Sequence, residues 1–500
     1  MLNRALDDSS GRYPPEQLRG RIVCGTSVVS LKSDERACSR RPRREKRVNI
    51  TLIHIRRLFP AIHKRYEQRL GRARGAMNTF SNIRSWGRDT FFGWWLVSSS
   101  IGIQILQAAF LIQAYGIYAP VWQDEFGWSK TTLATAFSLQ RLESGLLGPL
   151  QGWLLKCFGP RLIVRLGLTV FGLGLLLLSR IDSLLGFYLI FLTLAAGASL
   201  GGFLSLMTVI VNWFERKRTR ALALMQVGGS IGGLLIPLIA LSVTSNGWRT
   251  TVFISGLVVL ILGLPLSQLL RNRPEDYGQL PDGQAARSDP DSNTPPKETK
   301  SATEFSTRQA LGTSAFWLLS IGHALAVMLV SAVAVHLVIY LGEALGFSLQ
   351  LASLIIALLT ASTLVGQLLG GFLGDRLNKR LIVMLAMLGH AGGILVLAFA
   401  QTHFPVIVFA ILHGLAWGVR GPLMGALRAD YFGRRSFATI MGFSTVIIMI
   451  GSMSGPIMAG YLADRSGSYR PAFIVLALLA TIGSLVFAFA GRPRPIKTQS

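Results

Sequence analysis

The sequence predicts an all-α polytopic membrane protein with twelve transmembrane helices in two pseudo-symmetric six-helix bundles. Three observations carry this. The 500 residues are 51% hydrophobic and only 15% charged, with a mean hydropathy of +0.47, whereas soluble domains carry about 25% charge. From Phe91 onward, apolar stretches of about 20 to 30 residues succeed one another, each long enough to cross a hydrocarbon core of about 30 Å. The second half of that region then repeats the landmarks of the first.

Residues 1–91 form a basic extension with 21 of the 50 Lys and Arg but only 8 of the 24 acids, and no apolar run of signal-peptide length. Its segment 51–70, with Arg56, Arg57, Lys64, Arg65 and Arg69 among scattered apolar positions, has three readings. They are a basic amphipathic helix on a membrane surface, a disordered cytoplasmic tail, and an upstream extension with Met77 as the natural start. No nucleic-acid module accompanies the charge, so nucleic acid is not an expected partner. Cys24, Cys38 and Cys157 lack metal-ligand spacing, which argues against a zinc site or a disulfide framework.

The first bundle, residues 92–270, has spans at 92–120, 130–155, 161–180, 184–212, 220–243 and 249–270. Residues 271–310, rich in Pro, Asp, Ser and Lys, read as a solvated linker. The second bundle, residues 311–491, has spans at 311–341, 349–374, 380–400, 404–427, 437–462 and 470–490, and residues 492–500 form a tail. Basic residues concentrate on alternate loops: Lys156, Arg161 and Arg165, then Arg216 to Arg220, then Arg376, Lys379 and Arg380, then Arg434 and Arg435. The opposite loops offer Lys130, Arg180, Arg249, Arg465 and Arg470, so both termini and the linker are expected in the cytoplasm, the protein residing in the plasma (inner) membrane.

The internal repeat keeps one register. Gly127-Trp128-Ser129 returns as Gly346-Phe347-Ser348, Gly152 as Gly371, Arg161 as Arg380 and Pro237 as Pro456, all at an offset of 219. Asn212-Trp213-Phe214 returns as Asp430-Tyr431-Phe432 at 218. Parallel repeats of this kind place a solute site between the halves near the membrane midplane.

The loops after spans 2 and 8 resemble the Gly-x-x-x-Asp-Arg-x-x-Arg signature of the major facilitator superfamily, given in full by Gly371, Asp375, Arg376, Lys379 and Arg380. Residues 213–233 and 273–283 resemble bacterial relatives of the monocarboxylate transporters and oxalate/formate antiporters. The resemblance covers roughly residues 91–492. It implies the major facilitator fold, a pathway lined by spans 1, 4, 7 and 10, and a cytoplasmic gate in which Asp375 lies near the start of a helix from the other half. The first copy of the signature, Gly152, Lys156 and Arg161, has lysine where the acid belongs. One of two symmetric latches is then missing or rebuilt.

No phosphate-binding loop occurs, so energy is expected from gradients rather than ATP, with no cofactor and no enzymatic activity. Ionisable groups inside spans are the better clue, since a midplane charge costs roughly 2.5 to 3.5 kcal/mol even on the lenient scale. Arg141 and Glu143 fall near the middle of span 2 and point about 200° apart, so at most one faces a cavity directly while the other reaches a neighbouring helix. Either serves a polar lock or a solute contact, and Glu143, the one acid well inside a span, is the proton-coupling candidate. The resemblance makes Arg420 an anion contact, against snorkelling toward the interface. His323 and His413 read as core histidines or pathway residues, and His390 as structural. On span 1, Gln104, Gln107, Tyr115 and Tyr118 project onto one meridian at 100° per residue and read as cavity lining. Gly197, Gly201 and Gly202 read as close helix contacts first and hinges second.

The expectation is a monomeric secondary transporter of a small organic solute, a carboxylate or other organic anion, working by rocker-switch motion in the lipid bilayer, with H+ or a counter-anion as possible co-substrate. The alternatives are a proton-coupled drug or metabolite exporter and a non-transporting membrane sensor with the same fold.

Overall fold

The structure, a computed structural model, describes residues 91–283 and 304–493. The expectations for residues 1–76, for the basic segment 51–70 and for the middle of the linker lie outside the described residues. Twelve long helices follow in order: α1 Gly93–Phe126, α2 Lys130–Phe158, α3 Pro160–Leu178, α4 Leu184–Trp213, α5 Arg218–Asn246, α6 Trp248–Leu269, α7 Ser314–Glu343, α8 Leu349–Gly374, α9 Lys379–Ala398, α10 His403–Phe432, α11 Phe437–Ser466 and α12 Arg470–Phe489. Eleven of them are long and apolar enough to cross a membrane. The exception is α2, whose 29 residues include Gln140, Arg141, Glu143, Gln151 and Lys156.

The repeat has a local cause. Gly127 (φ 66°) and Gly346 (φ 64°) adopt the left-handed conformation that ends a helix without a Cβ penalty. Two residues later Ser129 and Ser348 cap the next helices, accepting from the Thr132 and Leu351 amides at 3.1 and 3.3 Å. The landmark triplets are thus stop-and-restart signals for α1–α2 and α7–α8.

Four helices are irregular, α5 through a break at Leu235 just before Pro237. A π-turn, Ala108–Ile112, interrupts α1, and another, Val259–Gly263, interrupts α6. At Gly202 (φ −101°, ψ −142°) α4 leaves helical geometry, and side chains bond to carbonyls of the interrupted turn. Gln107 donates to the Ala198 carbonyl at 3.0 Å and Gln151 to that of Ser199 at 2.7 Å. Such repair is required where no water reaches an interrupted backbone. Gly197 and Gly201 instead press on α3, where a Cβ on Gly197 would lie 2.6 Å from the Phe171 amide nitrogen.

The halves meet along two seams. In the first, Gly145, Gly148 and Gly152 of α2 lie against Met449, Thr445, Gly442 and Ala438 of α11, so closely that a Cβ on Gly152 would stand 2.6 Å from the Ala438 carbonyl oxygen. The Thr439 hydroxyl adds a bond to the Gly152 carbonyl at 3.2 Å. In the second, Gly371 and Gly374 of α8 face Ala223 and Thr219 of α5. Both seams run from mid-depth to the side that bears the linker. On the opposite side, ion pairs stay within a half, as with Arg249 to Glu125 and Asp182. The molecule is closed on the linker side and open on the other.

Candidate solute site

Between the halves lies a cavity of about 540 Å³ at mid-depth. Spans α1, α4, α7 and α10 contribute to its wall, and so do α2, α5 and α11, through Arg141, Gln226 and Thr445. Gln104, Gln107, Gln140, Ser144, Gln151 and Ser199 make the first-half wall polar, while Phe203, Met207, Met424, Met441 and Ile448 supply apolar surface. The cationic groups are Arg141, from the first half, and Arg420, from the second, and His323 also lines the cavity. No carboxylate lines it among the described residues.

Arg420 is fully buried. Its guanidinium stacks 4.8 Å over the Trp417 ring, and none of its three nitrogens has a hydrogen-bond partner among the described residues. An unpaired buried guanidinium is expensive, and proteins tolerate one chiefly where a ligand completes it. His323 Nδ1 is likewise without a partner. Two turns along α10, Arg428 makes the contrast: equally buried, it donates to the Leu319 carbonyl at 3.2 Å and to the Ser444 hydroxyl at 2.8 Å. Arg428 ties α10 to α7 and α11, whereas Arg420, at the cavity wall, is tied to neither.

Arg141 and Glu143 part as their spacing requires. Arg141 is exposed within the cavity, 5.1 Å over the Phe137 ring. The carboxylate of Glu143 turns to α4, accepting from the hydroxyls of Ser144 at 3.3 Å and Ser199 at 3.4 Å. These two hydroxyls are 2.8 Å apart, and both line the cavity.

Several expected pathway residues stand elsewhere. Tyr115 bonds to the Leu133 carbonyl at 2.6 Å, and Tyr118, 3% exposed, stacks on Trp122. Both lie outside the cavity's lining, in an aromatic cluster with Phe137, Phe187 and Phe191. The cause is the π-turn after Gln107: its wider turn rotates the rest of α1, so a constant 100° per residue holds for Gln104 and Gln107 and fails beyond Ile112. His413 is buried against His390, with Nδ1 to Nδ1 at 3.1 Å, behind the cavity wall.

On the linker side, Asp375 stands at the start of α5. Its carboxylate accepts from the Thr219 amide at 2.9 Å and the Arg220 amide at 3.4 Å, with the Arg220 Nε at 3.4 Å. Burial pushes this carboxyl above its ordinary pKa, opposed by the two amides and the Arg220 charge. A second ionic contact lies beside it: Arg218 of α5 reaches Asp430 of α10 at 2.6 Å, and Lys379 takes the other carboxylate oxygen at 2.8 Å. Asp430 entered the sequence reading only as a repeat landmark. Its repeat partner is Asn212, just as that of Asp375 is Lys156, so the second half supplies both carboxylates. Across the other seam Arg434 reaches the Asn212 carbonyl at 2.8 Å and Glu275 at 2.9 Å. Lys156 is exposed and shares a cleft with Arg434 and Arg435. Arg161 bonds within its own half, to the Gln268 carbonyl at 3.1 Å, Arg376 stacks 3.9 Å over Phe372, and the Arg380 amide meets the Asn378 cap at 3.0 Å.

Two six-helix repeats around one mid-depth cavity are the architecture of a membrane transporter. The chain belongs to the Major Facilitator Superfamily, whose family model matches residues 90–340 and 319–500. It is 24% identical over 418 residues to mouse (Mus musculus) monocarboxylate transporter 11, covering 82% of this chain and 89% of that one. It is also 24% identical over 389 residues to a probable sulfoacetate transporter of Cupriavidus necator, covering 75% and 88%. Among solved structures, it superposes on FucP in the outward conformation, an Escherichia coli protein described as a fucose:proton symporter, with a TM-score of 0.62 at 16% identity, over 79% of this chain and 99% of that one.

Proposed function

We propose that this chain is a secondary transporter of a small organic anion, a carboxylate or sulfonate, and that the structure represents its outward-facing state with the linker side in the cytoplasm. The observation that carries the reading is Arg420, fully buried at a cavity wall without a partner, in a cavity free of carboxylates among the described residues. A guanidinium offers a carboxylate two parallel N–H donors, which lysine cannot. The names of its relatives, a monocarboxylate and a sulfoacetate transporter, are consistent with an anionic solute.

Glu143 supports coupling to protons. Its carboxyl lies one hydroxyl away from the cavity, so a proton can pass through Ser144 or Ser199 without the carboxylate meeting the solute. Asp375 and Asp430, on this reading, hold the cytoplasmic side shut.

Solute flux in proteoliposomes tests the assignment. Saturable counterflow of an organic anion is expected, with Arg420→Gln weakening it far more than Arg420→Lys, and Glu143→Gln retaining exchange while losing acceleration by a pH gradient. Equal affinity in both Arg420 variants would remove this residue from the site.

A further inference from the structure

The cavity carries two cationic heads rather than one, and they belong to different halves. Arg141 sits eleven residues into α2, and Arg420 seventeen into α10. The two helices start at similar depth: Phe347, in the turn before α8, stacks 4.6 Å from His403 at the start of α10, and that turn is the repeat counterpart of the turn before α2. At 1.5 Å per residue, Arg420 then lies about 9 Å deeper toward the linker side.

The two guanidiniums also differ in what they lack. Arg420 is out of water already, whereas Arg141 is still wetted by the open cavity, and no carboxylate from any surrounding helix lines that space among the described residues. Glu143, two residues from Arg141, accepts through one oxygen from the Ser144 and Ser199 hydroxyls and lies outside the cavity's lining. When the outer side closes, Arg141 loses its water and gains no protein counter-charge. A solute with a single anionic group, seated on Arg420, leaves that second charge uncompensated in the occluded state.

Resting on the anion reading above, we infer that the solute is a dianion whose two acidic groups are joined by a short spacer, the deep group on Arg420 and the shallow group on Arg141. The apolar surface of Phe203, Met441 and Ile448 receives the spacer. Because each group is held by a different half, the solute itself neutralises the charge that would otherwise oppose closure. Empty or half-filled, the carrier resists occlusion.

Isothermal titration on the full chain in nanodiscs tests this with two probe series of matched length: acetate, propionate and butyrate against malonate, succinate and sulfoacetate. At least one dianion is expected to bind about tenfold or more tightly than its monoanionic match, the effect of one added charge-assisted contact. Arg141→Gln should erase that preference, bringing each dianion to the affinity of its monoanionic match, and Arg420→Gln should abolish binding of both series. Equal affinity of the two series in the unaltered protein overturns the inference. So does an Arg141→Gln variant that loses both series alike, since both guanidiniums then converge on one anionic group. In either case the anion reading survives. Absence of binding by every probe, with Arg420→Gln indistinguishable from the unaltered chain, removes the anion reading and this inference with it.

Discussion

Replacing Asp375 by Asn should loosen the linker side of the molecule by a predictable amount. The carboxylate is 6% exposed and caps the first turn of α5 from the other half, with amides at 2.9 and 3.4 Å. A carboxylate at a helix start contributes about 0.3 to 2 kcal/mol. The Arg220 pair adds little, because that side chain is 36% exposed and its attraction is screened. The burial that raises the Asp375 pKa subtracts from the total, and asparagine keeps one acceptor. A loss of about 1 kcal/mol remains, roughly a fivefold shift in the ratio of linker-closed to linker-open molecules. Spin labels in the α4–α5 and α8–α9 loops, on a background lacking Cys24, Cys38 and the exposed Cys157, would report it as growth of the long-distance population. Lys156→Asp should act in the opposite sense, because a carboxylate there would meet Arg434 and Arg435 across the other seam. An unchanged distance distribution in Asp375→Asn would refute the reasoning and reduce Asp375 to an ordinary loop acid.

Other outcomes follow from the same contacts. Gly148→Leu places a side chain where Thr445 and the Gly442 carbonyl already stand, and overpacking of about 1 to 3 kcal/mol should shift those labels toward linker-open distances. Arg428→Met should lower the thermal midpoint and protein yield, by removing the donor that ties α10 to the Leu319 carbonyl and Ser444, whereas Arg420→Met should leave the midpoint unchanged or higher while abolishing anion binding. Tyr118→Phe should leave anion affinity within about twofold by titration, whereas Gln107→Leu should weaken transport by freeing the Ala198 carbonyl at the α4 break.

The twelve helices and their pairing into halves were legible because hydropathy and the 219-residue repeat are one-dimensional signals, and the Gly-x-Ser landmarks are local backbone chemistry. Arg420 was legible too, as a charge inside an apolar run. Its difference from Arg428 was not: both sit in one stretch of α10, and only the approach of Leu319 and Ser444 decides which guanidinium is satisfied. Tyr115 and Tyr118 were misplaced because a π-turn of five residues leaves no mark in composition yet rotates everything after it. The Arg218–Asp430 contact joins residues 212 apart, and nothing in either neighbourhood announces the other.

The polarity of α2 bears on how the protein is made. This helix holds Gln140, Arg141, Glu143 and Gln151, and it alone falls short of the apolarity of its eleven companions. Offered singly to lipid, Arg141 alone adds roughly 2.5 to 3.5 kcal/mol against insertion, and Glu143 adds to it. The groups that quiet this face arrive later in synthesis: Ser199 and Ser205 with α4, and the glycine-lined seam partner α11 almost at the end. In this chain the helix that carries Arg141 is therefore made more than 50 residues before Ser199, the hydroxyl of α4 that meets Ser144 and Glu143. Changes that slow synthesis between α2 and α4 would lower the yield of inserted protein without altering a single contact in the finished fold.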